Sequence, residues 1–278
     1  MSFEYTDAQL NNLHEILTMM LEDIKRVCDK NNIRYFISYG TLIGAVRHNG
    51  FIPWDDDLDI AILRKDYERF VKLPSSEFKY GMFIEDCVNT EGYGHVFAKV
   101  MLPGTTNAEN FTKNVKCAQN IYIDVFPLDY TTNKRIALKI QHYMCLFYAR
   151  LMLLNCKYKY TKTGVKKVVY SIGYFIASKC SKKKLYSKWL KWATKYSDTK
   201  CNVKSMAAIY RLDRELMPVE LFKESKDYDF EGHKFSAVAD YDKYLKIIYG
   251  NYMKLPPVEQ RVAKHNSYKV DFGPYEMH

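Results

Sequence analysis

The order of elements along the chain predicts an α+β fold: a mixed sheet with flanking helices, followed by a mostly helical second half. Three observations carry this. Short apolar runs bounded by turn residues alternate with helical periodicity up to about Thr132. Three long amphipathic, basic segments follow. Hydrophobic residues make up 47% and charged residues 27% of 278 residues, an ordinary globular balance with enough chain to bury a sizeable core.

Thr6 and Gln9 have capping-box spacing and start a helix, with Leu10, Leu13, Ile16, Leu17, Met20, Leu21, Ile24, Val27 and Cys28 on its apolar face and Asn31-Asn32 at its end. Ile33 to Ser38 reads as a strand, Gly40 to Arg47 as a turn opening a short helix, Leu58 to Leu63 as a strand, and Asp66 to Leu73 as a helix. Strands are expected at Met82 to Glu85, His95 to Met101 and Ile121 to Phe126. Helices are expected at Lys134 to Cys156, Val165 to Ser178 and Lys183 to Tyr196. Phe230 to Phe235 reads as a tight hairpin around Gly232, and Tyr241 to Tyr249 as a last helix with Gly250 as its C-cap. The organisation is therefore a core over residues 1–132 and a basic helical region over 133–278.

The net charge is +10, unevenly distributed. From Lys134 to Lys204 there are 18 Lys or Arg and one acid, Asp198, which makes this segment +17 and the remainder −7. Such a field suits a polyanionic partner or a solvated basic face, and the apolar content of the segment favours a membrane surface. Lys182-Lys183-Lys184 with Trp189 and Trp192 fits an anionic bilayer, while part of the set Tyr143, Phe147, Leu151 and Leu154 must be core. The seven cysteines are dispersed, with no CxxC pair, which argues against a disulfide framework or a zinc site and for reduced thiols in a cytosolic setting. Met1 to Leu10 is polar, unlike a signal peptide, and Ile136 to Leu154 is too interrupted by Lys139, Gln141, His142 and Arg150 to span a bilayer.

The most informative stretch is Phe51 to Ile62, which holds Asp55, Asp56, Asp57 and Asp59 and then runs into apolar residues. Side chains two apart on a strand share a face, so Asp57 and Asp59 would point together while Leu58 and Ile60 face the core. Like charges this close need a cation between them, and hard oxygen ligands select Mg²⁺ or Mn²⁺. An acidic turn before a strand would also contain such residues, but here the acids continue into the strand and a glycine turn lies 17 residues upstream of Asp57. That turn, Ser38-Tyr39-Gly40-Thr41, would present backbone amides to an anion at a helix start. Asp124, inside the apolar run Ile121 to Phe126, is the third carboxylate, either completing a two-metal site or forming a buried ion pair.

The run from Ile33 to Ile60, IRYFISYGTLIGAVRHNGFIPWDDDLDI, closely resembles the signature of the LicD family, which includes bacterial phosphocholine transferases and is related to fukutin-type ribitol-phosphate transferases. Three further blocks resemble it: Phe97-Ala98-Lys99 with Thr105, Tyr122 to Asp129, and Tyr249 to Pro257 with Arg261 and His265. The lysine block departs from the polar run expected after it, and Lys134 to Lys204 matches nothing in the family pattern.

The resemblance implies a nucleotidyltransferase fold and a Mg²⁺-dependent enzyme. A CDP-alcohol, CDP-choline above all, would bind by its diphosphate at Gly40 and Thr41, with metal on Asp57 and Asp59. A sugar hydroxyl of a cell-surface glycan, such as lipopolysaccharide or teichoic acid, or of its lipid-linked precursor, would attack, and CMP would leave. Asp124 would hold a second metal or take the hydroxyl proton. Arg47, Lys99 and Arg261 would contact phosphate; His48, His265, Asp55 and Asp56 would line the substrate site. The expected setting is cytoplasmic, peripheral at the cytoplasmic membrane face, without a nucleic-acid partner. Two other readings remain: a nucleotidyltransferase releasing pyrophosphate, and a non-catalytic adaptor at a membrane surface or nucleic acid.

Overall fold

The structure is a computed structural model that describes residues 3–158, 165–208, 212 and 214–276, with side chains of 165–170 left aside. Lys159 and Lys162 of the basic run lie outside the described residues.

Helix α1 (Asp7–Lys30) begins with the expected capping box: Gln9 N–H donates to the Thr6 hydroxyl and Thr6 N–H to the Gln9 side chain, at 3.3 and 3.1 Å. The 3.6-residue spacing of Leu13, Ile16, Leu17, Met20, Leu21, Ile24 and Val27 buries one face against the main core. Then come β1 (Tyr35–Ile37), α2 (Tyr39–His48), β2 (Asp59–Leu63), α3 (Arg64–Phe70), β3 (Phe83–Glu85), β4 (Ala98–Leu102), β5 (Thr106–Glu109) and β6 (Ile121–Thr131). The second half supplies α4 (Arg135–Asn155), α5 (Val165–Ser178), α6 (Lys182–Ala193), β7 (Asn202–Lys204), β8 (Met217–Pro218), β9 (Ser225–Phe230), β10 (His233–Val238), α7 (Tyr241–Tyr249) and β11 (Ser267–Asp271).

The fold is α+β, around a mixed sheet in the order β1-β2-β6-β4-β3. β2 and β6 run parallel; the other pairs on this path are antiparallel. The far end of β6 pairs with β7, which pairs with β8. β9 and β10 form the expected hairpin, and positive φ at both Glu231 (51°) and Gly232 (76°) gives the turn hand that matches strand twist.

Two cores result. The main one unites α1, α2 and the central sheet with β8 to β10 and α7. The second joins Cys145, Leu151 and Met152 of α4 to Leu185, Trp189 and Ala193 of α6, with Tyr93 and Val96 beneath. The buried Arg64 guanidinium binds Asp129 at 2.7 and 2.9 Å and reaches over the Trp189 ring.

Several expectations change. Trp189 is fully buried in the second core and is not a surface anchor, and Lys182 is partly used in donating to the Thr90 and Tyr93 carbonyls. The set Tyr143, Phe147, Leu151 and Leu154 divides: the first two are exposed, the last two buried. Strands β5, β7, β8 and β11 were not anticipated, and β6 runs on to Thr131 through Pro127. Residues 202–204 and 217–271 return to sheet and core, so the mostly helical region is α4 to α6.

Candidate active site

Strand register assembles the site. Asp59 on β2 is opposite Asp124 on β6, Asp124 is opposite Lys99 on β4, and Lys99 is opposite Glu85 on β3. Residues directly opposite on neighbouring strands project to the same side. Four ionisable groups from four strands therefore form one row across the sheet. Lys99 Nζ lies 3.6 Å from Asp124 Oδ1, 3.8 Å from Glu109 Oε1 and 3.1 Å from the centre of the Tyr122 ring. Glu109 also accepts the Tyr122 hydroxyl at 2.8 Å.

Beside this row stand the remaining acids. Asp57 lies in the loop just before β2, not within it. Oxygens of Asp55, Asp56 and Asp57 lie within 4.8 Å of one another. Burial, then Asp57, pushes the Asp55 carboxyl up to about 8. Burial pushes Asp59 well above the usual carboxylate range, with Asp57, Asp124 and Asp55 adding to it. Asp124 rises to about 6: burial and neighbouring acids outweigh Lys99 and His265. Asp124 Oδ1 is buried without a hydrogen bond, since Lys99 stands just beyond reach.

Asp56 behaves differently. Its carboxylate accepts backbone N–H groups of Lys264 (3.1 Å) and His265 (3.2 Å), with His265 Nδ1 also at 3.2 Å. Burial would raise it, but these donors hold it below its ordinary value. His265 is brought to the site as expected, with Nε2 4.0 Å from Asp57 Oδ2. Burial would favour the neutral ring, yet Asp56 and Asp57 raise it to about 10, so the ring is an imidazolium at neutral pH.

The start of α2 borders the acids. Tyr39 has φ of 52°, and this sharp turn sets Gly40 against Asp55, where a Cβ would meet Asp55 Oδ2 at 2.8 Å. The Thr41 hydroxyl accepts Asp59 N–H at 2.9 Å and so fixes the start of β2. The group packed against this turn is the chain's own Asp55 carboxyl. Arg47 donates to the Tyr252 carbonyl at 2.7 Å and to His48 Nε2 at 2.9 Å. Burial first, then Arg261, lowers its pKa, and Arg261 itself lies over the Trp54 ring. Burial and Arg47 keep His48 neutral. Arg47 and Lys264 thus lie within electrostatic reach of Asp55, Arg261 within reach of Arg47, and Lys99 beside Asp124.

Sequence reasoning missed Glu85, Glu109 and Lys264. Glu109 ends β5, whose Thr-Asn-Ala-Glu has no apolar alternation, and reaches the site because β5 pairs with β11. Glu85 follows two apolar residues in an expected strand, a signal that was available.

The site is a cluster of carboxylates beside the parallel pair β2 and β6, with Lys99, Arg47 and Lys264 near it, an arrangement that suits a transferase acting on phosphate groups. A family model described as LicD/FKTN/FKRP, nucleotidyltransferase domain, matches residues 32–149. The lipopolysaccharide cholinephosphotransferase LicD of Haemophilus influenzae is 30% identical over 254 residues, covering 88% of this chain and 92% of that protein. The ribitol 5-phosphate transferase FKRP of Homo sapiens is 37% identical over 51 residues, 18% of this chain and 10% of that one. The chain belongs to the LicD family and is a transferase of the phospho-alcohol class.

Proposed function

We propose that the chain transfers phosphocholine from CDP-choline to a sugar hydroxyl of a cell-surface glycan or its lipid-linked precursor, and releases CMP. The observation that carries this reading is the register of Asp59, Asp124 and Lys99 on adjacent strands, with Asp57 beside them. The choice of choline rests on the Haemophilus relative being a cholinephosphotransferase.

The donor set fits a divalent cation. It is all carboxylate oxygen, which hard Mg²⁺ or Mn²⁺ prefers, and Asp124 Oδ1 is buried without a hydrogen bond. Asp57, Asp59 and Asp124 would hold the metal, with Asp55 close enough to join them. When bound, it neutralises charge on the donor phosphates and on the phosphoryl group in transit.

The chain's own groups do the rest. Arg47, Arg261 and Lys264 would attract the diphosphate, and Gly40 and Thr41 shape the turn beside which it would bind. The acceptor oxygen bonds to the phosphorus bearing choline as the bond from that phosphorus to the oxygen of CMP breaks. Asp124 would either help hold the metal or take the hydroxyl proton. His265, charged, steadies Asp56 and Asp57 and faces the departing phosphate. His48, neutral, lies beside Arg47 at the rim.

Residues 133–278 complete the site through Arg261, Lys264 and His265 and bind the acceptor. Association with the cytoplasmic face of the membrane accords with the basic run, and no helix among the described residues is long and apolar enough to cross a membrane.

The test is mass spectrometry of products with CDP-choline, Mg²⁺ and a glycan acceptor. A phosphocholine gain with CMP is expected. A nucleotide gain with pyrophosphate would replace this reading with nucleotidyl transfer. The absence of either product with CDP-choline, alongside turnover of CDP-ribitol, CDP-glycerol or CDP-ethanolamine, would reassign the donor.

A further inference from the structure

Helix α4 carries two apolar stripes. One, through Leu138, Cys145 and Met152, is buried in the body of the protein. The other, Ile136, Ile140, Tyr143 and Phe147, repeats at steps of 4, 3 and 4 and faces outward, with Ile136 76% and Tyr143 61% exposed. A helix of a globular protein needs one such stripe. Helix α5 is held to the end of α4 by Asn155, whose amide donates to the Ala177 and Cys180 carbonyls at 2.8 and 2.9 Å. It adds Ile172, Phe175 and Ile176, all exposed, with Phe175 at 64%.

The charge around these side chains is of one sign. No Asp or Glu occurs from Lys134 through Ser197. Arg135 and Lys139 flank the outer stripe of α4; Lys183, Lys184 and Lys188 project from α6. Apposing two copies through this face would set two strongly cationic segments against each other. An anionic lipid surface supplies both what the apolar stripe lacks and the opposite charge: acyl chains for Ile, Phe and Tyr, phosphates for Lys and Arg.

We infer that the outer face of α4, extended by α5, is an interfacial membrane-docking surface specific for anionic phospholipid. This deepens the surface association proposed above and is independent of the transfer chemistry. The anchors are the exposed aliphatic and aromatic side chains of α4 and α5, not the tryptophans of α6.

The full chain is sedimented with vesicles of phosphatidylcholine alone or with roughly a third phosphatidylglycerol. Binding is expected only with phosphatidylglycerol, weakening steeply as salt rises. The double variant Ile140→Ser/Phe147→Ser should lower the partition coefficient about tenfold or more, with an unchanged melting temperature because both side chains are exposed. Asp59→Asn should bind vesicles like the unchanged protein, so a failure of the catalytic reading leaves this one standing. Equal binding by the double variant would overturn the proposal. So would no binding to anionic vesicles, or a dimer in sedimentation velocity that the double variant abolishes.

Discussion

His265 and Asp56 are 209 residues apart in sequence and form one ion pair, Nδ1 to Oδ1 at 3.2 Å, reinforced by two backbone N–H groups on the same carboxylate. The pair clasps the segment before β11 onto the loop that carries Asp55, Asp56 and Asp57. Because the folded-state pKa of His265 lies near 10, above its ordinary value, its charge stabilises the fold fully below about pH 6.5, and the contribution fades as pH rises toward 10. Melting temperature measured from pH 7 to 10 should fall in the unchanged protein and fall less in His265→Gln. Parallel curves would show that the pair adds nothing.

On the acid side, two other histidines act in the opposite sense. Burial lowers His95 to about 3 and His142 to about 4, Lys99 and Lys204 respectively adding to it. Groups held neutral in the fold but protonated when unfolded withdraw stability as pH drops below about 6.5. Urea midpoints at pH 6.5 and 4.5 should therefore differ, and His142→Gln should narrow the gap.

Asp59→Asn removes one charge from a crowded group of acids. Transfer should fall by about a thousandfold or more, as expected where a metal ligand is lost. The metal-free protein should melt a few degrees higher, since the repulsion from Asp57 and Asp124 is relieved. Magnesium should stabilise the unchanged protein but not the variant. Calorimetry with and without Mg²⁺ reads both effects; full activity in the variant would remove Asp59 from the machinery.

The buried Arg64–Asp129 pair joins the sheet to the second core. Asp129→Ala leaves the guanidinium without its partner and should cost about 3–5 kcal/mol in chemical denaturation. A loss below about 1 kcal/mol would mean that water or Tyr67 replaces the carboxylate.

Much of this was legible in the chain. Period-3.6 and period-2 patterns located α1, α2, β2 and the hairpin at Gly232, and the alternation at Asp57 and Asp59 marked the acids. The opposition of Asp59 to Asp124 was not legible, because a parallel register is set by tertiary packing and not by either strand. β5 and β11 escaped for a related reason: each is short and polar, and becomes a strand only through the other. The two stripes of α4 show the limit of amphipathic reasoning. Periodicity reveals an apolar face, but with two such faces it does not say which one the fold keeps.

The clasp also sets an order in time. During synthesis the aspartates at 55–59 emerge long before Lys264 and His265, and β5 waits on β11 for its partner. A ribosome-bound chain can form its first helix and central strands, yet its acids stay unclasped until Lys264 and His265 have emerged. The loop that carries the acids is therefore made early and secured late, by a histidine translated 209 residues after the carboxylate it steadies.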